Sequence, residues 1–368
     1  MDEEWQLVTS FLPAHWKALA RESGALRRAR NVPNADTLLR LIFLHTATSL
    51  SLRQAVARAK AVGLAEISDV ALLKRLKGSA AWLQTLTQQL TGQRFEPADP
   101  AGRLAGRQIR VVDATDIQEP GATGTDWRVH YSLRVPGLEC DFFELTDEHG
   151  GETYKRIPVQ RSDVLLADAG YCHRQGVAQV ITAAADVVVR YNPHGFPLLD
   201  APGQPLEVLP LLRALAGHQA GEWPVQFDSD GHRYTVRLCA IRKSQTATLR
   251  AQKKLRRRAQ TSGKALQPET LELAGYVMVL TSLPSSVCSA AQVLELYRVR
   301  WQVELLFKRL KSLLALGHVP KYDPQSCRAW LQAKLLGALL IECLMREAKF
   351  FSPWGVPTGR GQPLEAIY

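Results

Sequence analysis

Three carboxylates in this 368-residue sequence stand where a carboxylate needs a reason. Asp113 interrupts the β-branched run IRVVDATDI, and Asp168 ends the run DVLLADAGY. Glu304 lies far downstream, in SAAQVLELYRVRWQVELLFKRLKSLL. An acid at the end of a buried strand is costly unless it is paired or holds a metal ion. Together the three would supply the hard oxygen donors that Mg²⁺ takes. Asp116 competes for the first position; Asp113 is preferred because it directly follows the strand residues Val111 and Val112.

The downstream segment reads as one long helix from about Ser289 to about Leu316. At about 100° per residue, Tyr297, Arg300, Glu304 and Lys311 fall within roughly 60° of one another. Val299, Val303, Leu306, Leu310 and Leu313 form a separate apolar stripe suited to burial against a sheet. One acid therefore shares a face with an aromatic hydroxyl and two cations. The helix alone is equally an amphipathic helix with i,i+4 pairs such as Arg300 and Glu304. What sets it apart is the order of the three acids: strand, strand, helix. No GxSxG, GxGxxG or P-loop occurs and the histidines are scattered, so neither a nucleophilic triad nor a nucleotide-binding loop is indicated.

The elements that must position these residues can be read in outline. Residues 1 to about 100 read as helices, with Gly63 as a C-cap after SLRQAVARAKAVG and Ser68 or Asp69 as the N-cap of a short basic helix. Helix, glycine turn and basic helix resemble a helix-turn-helix. A turn-rich stretch, FEPADPAGRLAG, marks a boundary near residues 95–106. The segments IRVVDATDI, WRVHYSLRV, CDFFELTD, DVLLADAGY and DVVVRYN then read as strands, with AQVITAAA as a helix between the last two. This is the pattern of an α/β mixed sheet flanked by helices. Residues 195–275 interrupt the alternation and read as a β-rich, basic insertion. YVMVLTSLP resumes the strands, a final helix spans about 325–349, and residues 351–368 form a short tail.

Composition bounds the function. Hydrophobic residues make up 46 % and charged residues 22 %, as in an ordinary globular chain. The acidic start MDEEWQLVTSFLP lacks the basic and apolar regions of a signal peptide, no apolar run reaches bilayer length, and the six cysteines form no CxxC pair. The expectation is a cytoplasmic, nucleoid-associated protein with reduced thiols. The net charge is +11, and it is concentrated: residues 231–268 hold eleven Lys and Arg and no Asp or Glu, while the rest of the chain balances. The run Lys253, Lys254, Arg256, Arg257, Arg258 is its densest part. Such an excess displaces counterions from nucleic acid, so DNA phosphate is the indicated partner.

The spacing Tyr297-x2-Arg300-x3-Glu304-x6-Lys311 resembles the Y-R-E-K signature of bacterial insertion-sequence DDE transposases. Asp113, followed two residues on by Thr115, resembles their first catalytic aspartate; Asp168, followed by Gly170 and Tyr171, resembles their second. The resemblance covers about residues 35–350. It implies a ribonuclease H-like catalytic core carrying the β-rich insertion and an N-terminal helical domain. It also implies Asp113, Asp168 and Glu304 as catalytic ligands of two Mg²⁺ ions, for which Mn²⁺ may substitute, and DNA backbone contacts from Tyr297, Arg300 and Lys311. The implied partners are transposon terminal inverted repeats and target DNA, with a homodimer on paired ends. The chain stops at Tyr368, soon after the last helix, where relatives often carry a longer C-terminal region.

Two other readings stand beside this one. A ribonuclease H-like nuclease or resolvase would need the same acids but not the Y-R-E-K face or the basic insertion. A DNA-binding repressor derived from a transposase would need the N-terminal helices but not the acids, all three of which are present.

Overall fold

The computed structural model describes residues 2–48, 50–92, 103–104, 106–119, 121, 124, 126–135, 139–217, 219–263, 265–300, 319 and 323–350. The chain divides into two compact units. One comprises residues 1–93, 119–122 and 310–368; the other comprises residues 94–118 and 123–309.

The first unit is helical. It holds α1 (Asp2–Ser10), α2 (Trp16–Glu22), α3 (Ala35–Thr46), α4 (Leu52–Ala61), α5 (Asp69–Gly78), α6 (Ala80–Gly92) and, from the far end of the chain, α12 (Pro324–Phe350). Local chemistry sets the boundaries. The Asn34 side chain accepts the Thr37 N–H at 2.8 Å to start α3, Ser51 and Gln54 form a reciprocal capping box on α4, and Ser68 accepts the Ala71 N–H to start α5. Gly63 carries the chain out of α4 at φ +67°, a left-handed conformation that favours glycine. Leu38, Leu39, Leu41, Ile42, Leu72 and Trp82 are fully buried, and the Trp82 indole stacks on Trp16 while donating its N–H to the Trp16 carbonyl. Helix α12 packs against α6, α5 and α3, and Asp323 at its start pairs with Lys77 on α5 at 3.0 Å.

The second unit is built on a mixed sheet. Its strands are β1 (Arg103–Leu104), β2 (Arg107–Ile117), β3 (Trp127–Arg134), β4 (Glu139–Asp147), β5 (Asp163–Ala167), β6 (Asp186–Arg190), β7 (Gly221–Ser229), β8 (His232–Arg242) and β9 (Tyr276–Thr281). They run in the order β4-β3-β2-β5-β6-β9-β8-β7, with β1 paired to β2. The neighbours β2, β5 and β6 are parallel, and every other pair is antiparallel. All five residues of β5 are buried, as expected of a parallel strand covered on both faces. The two strands of the 195–275 segment, β7 and β8, extend this same sheet through β9. Helix α7 (Arg174–Thr182) packs on β6 and β7, and α11 (Ala290–Arg298) packs on β6, β8 and β9. The segment also supplies α8 (Val208–Arg213), α9 (Gln245–Ser262) and α10 (Pro268–Leu273).

One buried ionic cluster pins the centre of the sheet. Arg110 on β2 is 3 % exposed and reaches Asp141 on β4 at 2.7 Å and Asp163 on β5 at 2.8 Å. Its guanidinium also donates to the Pro158 carbonyl at 2.8 Å, so one side chain ties β4, β5 and the loop before β5 together.

The expected long helix from Ser289 is corrected in one respect. Ser289 does cap it, with Gln292 completing a capping box, but α11 ends at Arg298. There the hydrogen bonding tightens to three-residue spacing, Val299 N–H to Leu296 O and Arg300 N–H to Tyr297 O. Residues 301–318 lie outside the described residues, and with them Glu304, Lys311 and most of the apolar stripe.

Candidate active site

Strands β2 and β5 place the two aspartates. Their parallel register pairs Gln108 with Asp163 and Val111 with Leu166. Continued by two residues past the last β2–β5 pair, the same register brings Asp113, midway along β2, level with Asp168, which follows the last residue of β5. Neighbouring strands lie about 4.8 Å apart, so two carboxylates at this level share one small region. The alternation of the strand turns Asp113, 8 % exposed, inward with Thr115 and Ile117. Asp116 points the other way. Its side chain is 52 % exposed and pairs with Arg128 on β3 at 2.8 Å.

Each aspartate is oriented by the backbone beside it. Asp113 Oδ1 accepts the Ala114 N–H at 2.8 Å, and Oδ2 accepts from Arg300 Nη1 at 3.3 Å. Asp168 leaves β5 and caps the short 3₁₀ turn Ala169–Tyr171, its Oδ1 accepting the Gly170 N–H at 2.8 Å. Arg300 lies 187 positions from Asp113 in sequence, yet the fold brings them together. Its guanidinium also covers the Tyr297 ring at 5.9 Å. The Tyr297 hydroxyl is buried without a hydrogen-bond partner among the described residues, and burial raises its pKa.

A third carboxylate is present that the sequence did not single out. Glu152 follows β4 in the segment HGGETYKR, where a polar loop residue carries no periodic signal. Burial pushes its pKa up to about 7, with the nearby charges of Asp168 and then Asp113 adding to the shift. Two tyrosine hydroxyls, Tyr154 and Tyr171, lie fully buried beside this group, also without partners among the described residues. Burial raises both pKa values, and for Tyr171 the charges of Glu152, Asp113 and Asp168 add to it in that order.

On the other side of Tyr297 and Arg300 lies a cleft of about 690 Å³. Arg190, Lys243 and Arg298 join Arg300 along it, over an apolar floor that includes Ile241 and Leu294. Burial, and then the Arg190 charge, lowers the Lys243 pKa. Lys243 also donates to the Ala274 carbonyl at 2.7 Å.

The basic segment divides by role. Arg237 is buried, paired with Glu222 and bonded to the Leu283 and Cys288 carbonyls; Arg233 is paired with Asp228. These two of the eleven cations serve the sheet. The dense run instead lies on α9, an 18-residue helix with no buried residue and no acid, capped by Ser244 at one end and by Gly263 at φ +64° at the other. Thr248, Ala251, Gln252, Leu255 and Ala259 are its half-covered residues, and they share one face. Opposite them Arg250, Lys253, Lys254 and Arg257 fall within an arc of about 100°. Arg258 stands at the edge of that arc and Arg256 on its other flank; all six cations are exposed.

Comparison with known proteins gives the family. The Transposase DDE domain family matches residues 146–340. The chain is 34 % identical over 359 residues to the InsL protein of insertion sequence element IS186A from Escherichia coli (strain K12), covering 95 % of this chain and 96 % of that one. It belongs to the DDE transposase family. The transposase of insertion sequence element IS421 from Escherichia coli is also 34 % identical, over 360 residues covering 95 % and 96 % of the two chains. Among solved structures, a piggyBac transposase synaptic complex with hairpin DNA superposes with a TM-score of 0.45 at 10 % identity, covering 94 % of this chain and 75 % of that one.

This DDE transposase therefore has an α/β, ribonuclease H-like core, its mixed sheet flanked by helices. The family match takes in Glu152, Asp168, Tyr297, Arg300, Glu304 and Lys311 and begins after Asp113. DDE transposases are metal-dependent enzymes as a family, and the donor set fits a hard divalent cation: carboxylate oxygens of Asp113 and Asp168 beside orphaned, buried tyrosine hydroxyls. Among the described residues, no three carboxylates, histidines or cysteines yet converge on one ion position. Among those residues, too, no helix is long and apolar enough to cross a membrane.

Proposed function

We propose that this transposase cuts phosphodiester bonds at transposon ends and joins them to target DNA at a site formed by Asp113, Asp168 and Glu304. The observation that carries the reading is the register of β2 and β5, which sets Asp113 and Asp168 level just past the last pair of the two parallel strands, with Arg300 beside the first. Asp113, Asp168 and Glu304 would hold two Mg²⁺ ions, with Mn²⁺ able to substitute. Bound cations of this kind activate the attacking oxygen and stabilise the leaving one in an in-line displacement. Arg300, backed by the Tyr297 ring, grips the phosphodiester next to Asp113, and Lys311 acts with it. Asp168 keeps one fixed orientation through the Gly170 N–H, so little reorganisation is needed at the moment of reaction.

Helix α9 serves as a further DNA contact in this reading. Arg250 and Lys254, Lys253 and Arg257, and Lys254 and Arg258 are like-charged i,i+4 pairs with no acid between them, which destabilises a helix standing alone in water. A polyanion along that face relieves the repulsion. The helical unit of residues 1–100 supplies sequence-dependent binding, and a homodimer forms on paired ends. Residues 101–194 and 276–309 form the catalytic core around the 195–275 insertion, whereas α12, expected at the end of that core, packs with the helical unit; the enzyme works at the nucleoid.

The direct test incubates purified protein with a duplex carrying the terminal repeat and a target duplex, in Mg²⁺, in Mn²⁺ or with EDTA. Cleavage and joining are expected with either metal and neither reaction with EDTA. Nicking without joining would favour the nuclease reading, and binding without cleavage the repressor. For α9, changing Arg250, Lys253 and Arg257 to glutamine should lower the slope of log affinity against log salt by about one unit per lost phosphate contact. Affinity should fall alike for specific and random duplexes. An unchanged slope, measured by fluorescence anisotropy across salt, would return α9 to a plain solvated helix.

A further inference from the structure

The loop that carries Glu152 is held by hydrogen bonds on both sides of that residue. Arg128 donates to the Gly150 carbonyl at 2.9 Å, and Arg156 donates to the Gly151 carbonyl at 3.2 Å while pairing with Glu144 at 3.1 Å. The Thr153 side chain accepts the Lys155 N–H, starting the 3₁₀ turn Tyr154–Arg156. The His173 Nδ1 accepts the Gly176 N–H at the start of α7, and Lys155 donates to Gln175 on that helix at 3.3 Å. These bonds tie the loop after β4 to the segment that follows Asp168.

The loop delivers the carboxylate to one place. A Cβ built on Gly170 would clash with Glu152 Oε2, so the carboxylate occupies the space a side chain at 170 would fill. Gly170 is the residue whose N–H orients Asp168. Glu152 makes no ion pair with a described residue, although Arg128 lies within electrostatic range. The Tyr171 hydroxyl, fully buried and without a partner among the described residues, faces the charges of Glu152, Asp113 and Asp168. A half-buried carboxylate kept against two others, with a fixed loop behind it, is an arrangement that a cation would complete.

We propose that Glu152 is a positioning residue of the metal site, accepting hydrogen bonds from water bound to the divalent cation that Asp113 and Asp168 would hold. This rests on the assignment of those two aspartates as ligands. An outer role suits the geometry, because the three carboxylates do not converge on one ion directly. It also suits the cation, since Mg²⁺ dehydrates reluctantly and keeps several waters that need acceptors. Partners of this outer kind change metal affinity by about 10–100-fold when removed.

The test is Mn²⁺ binding to the full-length protein without DNA, by isothermal titration calorimetry, with thermal melting as a control for folding. Glu152→Ala should weaken Mn²⁺ binding by about 10–100-fold, and Glu152→Gln, which keeps the shape, should fall between that variant and wild type. Gly170→Ala should weaken binding with Glu152 still present, because the added methyl displaces its carboxylate. Asp113→Asn and Asp168→Asn should lose binding altogether. If both Glu152 variants bind Mn²⁺ as wild type does while the aspartate variants lose it, the proposal is overturned, whatever Gly170→Ala does. If the aspartate variants also bind normally, the ligand assignment itself fails.

Discussion

Asparagine at Asp113 or Asp168, or glutamine at Glu304, should reduce strand cleavage by more than about 10³-fold while leaving binding to the terminal repeat within a few-fold of wild type. Each substitution keeps the side-chain shape and removes one anionic oxygen donor. A divalent cation contributes several kcal/mol of charge stabilisation in such a displacement, and each 1.36 kcal/mol is tenfold in rate. The structure sharpens the expectation for the aspartates. Asp113 is 8 % exposed in the middle of the sheet, and Asp168 is fixed by the Gly170 N–H, so neither has a neighbour on its own strand that can take its place. Asp116, three residues from Asp113, faces away and is engaged by Arg128. Asp116→Asn should therefore retain most of the cleavage that Asp113→Asn loses. Nicking assays on an end-sequence duplex, beside an electrophoretic binding assay, separate the two. Near wild-type nicking by any of the three variants would remove that residue from the site.

Alanine at Arg300 should cost about 10²–10³-fold in cleavage and joining, the range for removing one preorganised donor at a developing charge. Its guanidinium is 3.3 Å from Asp113 Oδ2 and only 16 % exposed, so it stands beside the first acid before any DNA arrives. The Tyr297 ring beneath it limits where it can go. Loss of this group misplaces the scissile phosphate, and small misplacements cost rate steeply. Affinity should change far less, because the six exposed cations of α9 still hold the backbone elsewhere. Lys311→Ala is expected to behave in the same way on the strength of the helix signature. Binding, cleavage and strand transfer measured on one duplex decide the matter. If both variants cut and join normally, the signature is a coincidence of an amphipathic helix and the nuclease reading reopens.

Much of the fold was legible because local rules dominated it. The β-branched runs around Val111, Val164 and Val187 became β2, β5 and β6, and the serines at 51, 68 and 289 begin helices because their hydroxyls accept backbone N–H groups. The character of the basic run was less legible. Charge counting treated eleven cations alike, whereas pairing across β7 and β8 gives Arg233 to Asp228 and Arg237 to Glu222. A helix then sorts the dense run by face, setting Arg250 with Lys253, Lys254 and Arg257 and leaving Arg256 aside. Neither pairing across strands nor the choice of a helix's inward face is written in a charge count.

The sequence by itself determined which residue types could do the chemistry: two acids after apolar runs, a Y-R-E-K helix signature, and one basic segment carrying the whole charge excess. Those are local facts, fixed by neighbours along the chain. The tertiary structure alone decided which acids meet. Parallel pairing of β2 with β5 sets Asp113 level with Asp168 across 55 positions, and the turn that follows α11 brings Arg300 to Asp113 across 187. Glu152 joins them because its loop, held by Arg128 and Arg156, sets the carboxylate over Gly170. A loop residue has no periodicity to betray it, and its neighbours are set by hydrogen bonds from elements distant in sequence.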